Sequence, residues 1–158
     1  MEVRAYLLTW TTYGTWLPGD SRGWVDRHHK AAGDPDPQRE AAARRAMDEE
    51  AVTLDQRLRE VARAAIEDSA TRRGWFVHAL EVRSNHVHVI VSAHQVPPGR
   101  IMGTLKGYAS QALNAAGPSP RVRWWTRDGS KRKLPTDEAL AHAVHYVHNQ
   151  DKTWLNES

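Results

Sequence analysis

The 158-residue chain contains no cysteine, which excludes disulfides and thiolate metal sites. It also lacks an apolar run long enough to span a membrane, and its amino terminus has no basic stretch followed by an apolar one. From these absences the expectation is a soluble, cytoplasmic protein with no membrane partner. The length suits one domain with one sizeable core, so residues 1–158 are expected to form a single unit. Acidic residues are nearly missing from one region. Residues 98–135 hold eight Lys or Arg against the single acid Asp128, a local +7 that leaves −4 for the remainder of a chain whose net charge is +3. A basic segment in an otherwise acidic chain is the footprint of a phosphate-binding face, although an Arg-rich solvated loop has the same composition.

The stretch most specific in pattern is Glu81-Val82-Arg83-Ser84-Asn85-His86-Val87-His88-Val89-Ile90-Val91. Its period of two predicts a strand on which His86, His88 and Ile90 share one face and Val87, Val89 and Val91 the other. Two residues along a strand are roughly 6–7 Å apart, close enough for both imidazoles to converge on one cation. Taken alone, the tripeptide also reads as a pair of hydrogen-bonded histidines on the wetter face of a sheet. His78 and His94 have no partner at ligand spacing and read as structural. Far along the chain, Tyr146 and Gln150 are four residues apart on a predicted helix and therefore stack on one face.

Three stretches together resemble the HUH-type single-tyrosine transposases, the insertion-sequence transposases that act on single strands, and within them the REP-associated tyrosine transposases. They are Gly14-Thr15-Trp16-Leu17-Pro18-Gly19-Asp20 followed by Arg22-Gly23, then His86-Val87-His88, then Tyr146 with Gln150. The resemblance implies a catalytic Tyr146, a metal site made of His86, His88 and Gln150, and magnesium or manganese as cofactor. It further implies a 5′-phosphotyrosine product with a free 3′-hydroxyl, and a single-stranded or hairpin DNA substrate. A neutral ligand set leaves a divalent cation its full charge for Lewis-acid work on a phosphodiester, and a positioned phenol oxygen is a suitable nucleophile. Tyr108 is the competing nucleophile, but it has no ligand-type residue one turn away comparable to Gln150. A non-catalytic, domesticated nucleic-acid-binding module is the alternative; a zinc-dependent hydrolase is disfavoured because no third His has convincing ligand spacing.

The order of elements expected is strand 6–13, a long Ala- and Arg-rich helix over 36–73 with a break near Val52-Thr53, and strand 75–82. The His86 strand comes next, by a hairpin at Ser84-Asn85, then helix 99–116, strand 121–127 and a last helix capped by Thr136. This is an α+β, ferredoxin-like antiparallel sheet (split β-α-β) with helices on one face and the C-terminal helix carrying the nucleophile, a fold the resemblance also implies. On the last helix Leu140, Val144 and Val147 are expected to dock, with Ala139, Ala143, Tyr146 and Gln150 on a separate face. Whether Tyr146 acts within its own chain or from a dimer partner is open in the sequence, as is the choice between monomer and homodimer.

For DNA binding the candidates are Trp16 and Arg22 in the amino-terminal box, and Arg121, Arg123, Trp124, Trp125, Arg127, Lys131, Arg132 and Lys133 in the basic segment. Trp16 and Trp24 either lid the core or help hold DNA. Trp124 and Trp125, adjacent on a predicted strand, are expected to face opposite sides, one in the core and one offered to a base.

Overall fold

The computed structural model describes residues 3–15, 51–117 and 119–157, with side chains described as far as Asn149. Its elements are β1 (Ala5–Thr11), α1 (Gln56–Arg72), β2 (Phe76–Val82), β3 (His86–Ser92), α2 (Pro98–Ala116), β4 (Ser130–Leu134) and α3 (Asp137–Glu157). The four strands form one sheet in the order β2-β3-β1-β4, antiparallel throughout. This is the α+β, ferredoxin-like arrangement expected from the order of elements.

Local chemistry explains most boundaries. Asp55 caps α1 by accepting the Leu58 amide at 2.8 Å, and Gly74, at φ +75°, takes the left-handed position just beyond the helix end that a side chain would disfavour. Pro98 occupies the first turn of α2, where its missing N–H costs nothing. Thr136 Oγ1 accepts the Ala139 amide at 3.1 Å, and Asp137 and Glu138 lie in the first turn of α3 where the helix dipole favours acid. The β2–β3 hairpin closes through Arg83 N–H to His86 O at 2.8 Å.

Alternation along the strands divides the interior in two. Leu8, Trp10, Val87, Val89 and Val91 pack with Ala62, Ile66, Ile101 and Leu105 of α1 and α2. On the opposite face Leu7, Ile90 and Leu134 meet Ala143 and Val147 of α3. The docking surface of α3 therefore differs from the expected one: Ala143 is buried, while Leu140 and Val144 are only partly so. A small Cβ at 143 lets the helix approach the sheet closely, which turns the larger side chains to its flanks.

The fourth strand also departs from expectation. The span 121–127 contributes one bridge, Trp125 to Thr12, and the paired strand is Ser130–Leu134. Asn114 on α2 holds Arg121 by both backbone groups, donating to its O at 3.1 Å and accepting its N–H at 2.7 Å. That anchor holds Arg121 against α2, while 124–126 lie alongside the end of β1, Tyr13 N–H donating to Trp124 O at 2.8 Å and Thr126 N–H to Thr11 O at 3.0 Å. Lys106 fastens the segment beyond it, its Nζ donating to Thr126 O and Asp128 O, each at 2.9 Å, and burial pushes its ammonium down to about 8. At Gly129 the chain passes so close to Thr9 O that a Cβ would collide with it. Residues 51–55 are not helical and α1 begins at Gln56; the expected helix before them, 36–50, lies outside the described residues.

Candidate active site

Residues directly opposite one another in antiparallel strands share a face, so the register draws the site floor. Thr9 and Glu81 flank His88, and Thr11 flanks His86, on the same face as Leu7 and Ile90 beneath α3. Both histidines are buried, and their rings stand 4.8 Å apart between centroids with planes at 82°. His88 Nδ1 is 2.8 Å from Thr9 Oγ1, and His86 Nδ1 is 2.8 Å from Asn85 Oδ1. With both Nδ1 atoms engaged by the protein, Nε2 is the nitrogen each ring can offer to a cation, the usual division between the two sides of a ligating imidazole.

Tyr146 comes to the same place from α3. Val147 is fully buried against the sheet, which sets the helix so that its neighbour Tyr146 leans over β3, 6.2 Å from the His88 ring and edge-on at 81°. Tyr146 is 49% exposed, so half of its surface stays outside the core. On the other flank His148 Nδ1 lies 3.7 Å from Glu81 Oε1, and Arg63 and Arg83 approach Glu81 Oε2 at 3.8 and 3.7 Å. The backbone of Gln150 continues α3 one turn beyond Tyr146; its side chain lies outside the described residues. Among the described residues no three His, Asp or Glu side chains converge on a cation position, so the described part of the site is a two-histidine set.

The competing residues fall elsewhere. Tyr108 is on α2, on the far side of the sheet, with Arg73 5.0 Å from its ring centroid. His78 pairs with Ser92 Oγ at 2.7 Å, and burial lowers its affinity for a proton. His94 is exposed past the end of β3, and His142 and His145 are exposed on α3.

The basic segment is divided rather than continuous. Arg132 stands opposite Leu7 and so shares the histidine face, whereas Lys131 and Lys133, opposite Leu8 and Tyr6, face the α1–α2 layer. Arg123 and Arg127 are exposed, and Arg121 lies across Tyr13 and Trp124, 5.9 and 5.6 Å from their centroids. Trp124 and Trp125 are both buried, contrary to the expectation that one would be offered to a base. Outside a regular strand the two rings need not alternate: Trp124 Nε1 donates to Asn114 Oδ1 at 2.7 Å, and Trp125 Nε1 to Lys106 O at 3.1 Å with its ring edge-on to Trp10. Trp16 and Arg22 lie outside the described residues.

Thr9, Asn85 and Glu81 belong to the site and were not singled out from sequence. The two threonines left a trace, since Thr9 and Thr11 alternate with Leu8 and Trp10 on β1 and mark one face as polar. Asn85 and Glu81 had no such signal, because a turn asparagine and a strand glutamate are common for other reasons.

The family described as "Transposase IS200 like" matches residues 46–150, a span that includes His86, His88, Tyr146 and Gln150 and excludes β1 and the Gly14–Arg22 box. The chain is similar in fold to a solved structure titled "Structure of the REP associates tyrosine transposase bound to a REP hairpin", with a TM-score of 0.57, 10% identity, and coverage of 97% of this chain and 69% of the other. A putative transposase from Deinococcus radiodurans R1 aligns with a TM-score of 0.48 and 19% identity over 95% of this chain and 92% of its own. No curated protein matches.

Proposed function

Because the chain belongs to the IS200-like transposase family, we propose that it cleaves and rejoins single-stranded DNA by transesterification at Tyr146. The observation that carries this reading is the placement of Tyr146 over the buried His86–His88 pair of its own chain, 6.2 Å from the second ring. In this reading Tyr146 serves the histidine pair of its own chain.

The donor set fits a divalent metal ion. His86 and His88 are buried side by side on one face, with the protein holding both Nδ1 atoms, and Gln150 is the third ligand in this reading. Magnesium or manganese held there would act as a Lewis acid on the scissile phosphate. The chain's own residues do the remaining work. Tyr146 Oη attacks phosphorus and loses its proton; the bond from phosphorus to the 3′ oxygen breaks, and that oxygen leaves with the electron pair and is protonated. The products are a 5′-phosphotyrosine and a free 3′-hydroxyl, and attack by a 3′-hydroxyl reverses the step to rejoin the strand. α3 supplies orientation, because Val147 in the core fixes the rotation at which Tyr146 meets the sheet. Arg132, on the same face, is placed to hold a flanking phosphate.

A hairpin-bearing strand is the substrate class, by analogy with the similar fold that was solved with a REP hairpin. Incubation of the protein with manganese and a labelled hairpin oligonucleotide tests the reading. A labelled band at protein mass on a denaturing gel is the expected result. Retained DNA binding with no covalent band would instead make the protein a non-catalytic binding module.

A further inference from the structure

The turn after β1 and the turn before β3 meet at Asn85. Its backbone oxygen accepts Thr12 N–H at 2.9 Å and lies 3.3 Å from Thr12 Oγ1. Thr12 is completely buried, and its hydroxyl also reaches Val52 O at 2.8 Å. The position of Asn85 is thus held from outside its own hairpin. Its side chain points the other way, with Oδ1 2.8 Å from His86 Nδ1.

The two histidines differ in what holds them. The hydroxyl of Thr9 beside His88 can donate or accept, so that contact is compatible with either neutral form of the ring. An amide oxygen only accepts. With Oδ1 turned toward the ring, the 2.8 Å contact is a hydrogen bond only when His86 carries its proton on Nδ1, which leaves the lone pair on Nε2, the nitrogen a cation needs.

We propose that Asn85 is a positioning residue that selects the Nδ1–H form of His86 and so presents Nε2 as a ligand before any cation binds. The geometry stands by itself; its consequence for catalysis rests on the metal-assisted cleavage proposed above. Removing an outer partner of a ligating histidine typically weakens metal binding about 10- to 100-fold.

The test uses the full chain. Long-range proton–nitrogen NMR of the metal-free protein reads the His86 form, and calorimetry with manganese alone reads affinity. In the wild type and in Asn85→Asp, which keeps an acceptor, neutral His86 should show the Nδ1–H form, and Asn85→Asp should bind manganese no more weakly than the wild type. Asn85→Ala should lose the preference for that form and bind manganese about 10-fold more weakly or worse, while still folding and unfolding cooperatively. Should Asn85→Ala keep both the Nδ1–H signature and wild-type affinity, or should folded Asn85→Asp lose the signature, the proposal is overturned. The covalent-adduct assay separates this from the functional reading: a wild type that forms no adduct while its His86 form follows Asn85 sinks the cleavage reading and leaves the positioning role standing.

Discussion

The Tyr146 ring stands edge-on to the His88 imidazole, 6.2 Å between centroids, while Tyr108 lies across the sheet against Arg73. Two tyrosines that a sequence offers as rival nucleophiles are thereby separated by the thickness of the sheet, and only one shares a face with the paired histidines.

In the proposed reading that face separates the histidines that would hold a metal from those that would not. His86→Ala and His88→Ala should each abolish manganese binding in a calorimetric titration, and His78→Ala should leave it intact, because His78 is committed to Ser92 at the edge strand. Unchanged affinity in the first two variants would return the pair to a purely structural role.

Trp124→Ala and Trp125→Ala should each lower stability by about 3–5 kcal/mol, the usual cost of emptying a large aromatic site. Both rings are buried with their indole N–H groups bonded, so neither substitution should change the salt dependence of single-strand binding by the protein that remains folded. Chemical denaturation together with a salt titration checks both halves.

Arg132 and its neighbours should separate in the same titration. Each phosphate contact on a single strand contributes about 0.7 to the slope of log affinity against log salt. Arg132→Gln should reduce the slope by about that amount, while Lys131→Gln and Lys133→Gln, on the α1–α2 side, should not. An equal effect from all three would place the DNA along the edge of β4 instead of across the histidine face.

The histidine strand was legible because its two buried faces differ in kind, with His86 and His88 alternating with Val87 and Val89 in a β-branched run. The Thr136 cap, the Ser84-Asn85 hairpin and the antiparallel sheet were legible for similar local reasons. β4 was not: Ser130-Lys131-Arg132-Lys133-Leu134 buries only Leu134, since an edge strand held by backbone bonds to β1 needs little apolar patterning, while the β-rich 121–127 reads more like a strand but meets the end of β1 only at 124–126, with Arg121 tied to α2 by Asn114. Asn85 was invisible for a different reason. Its contacts join segments 73 residues apart, to Thr12, and only the folded chain brings those together.

Lys106 gives a prediction in pH. Burial lowers its folded value to about 8, against an ordinary value of 10.5, so between these limits the unfolded chain binds a proton that the folded chain does not. Stability from this group must then rise with pH across that window. The difference in unfolding free energy between wild type and Lys106→Met should shift in favour of the wild type from about pH 8 to 10; a flat difference would show that the ammonium titrates normally.

The account's central claim is that Tyr146 is the residue that becomes joined to DNA. Protease digestion of the covalent adduct, with mass spectrometry of the peptide that carries the nucleotide, reads that residue directly. The nucleotide mass should be found on Tyr146 and should vanish in Tyr146→Phe, which still binds the hairpin. Recovery of the label on Tyr108, or an adduct that persists in Tyr146→Phe, would contradict the assignment.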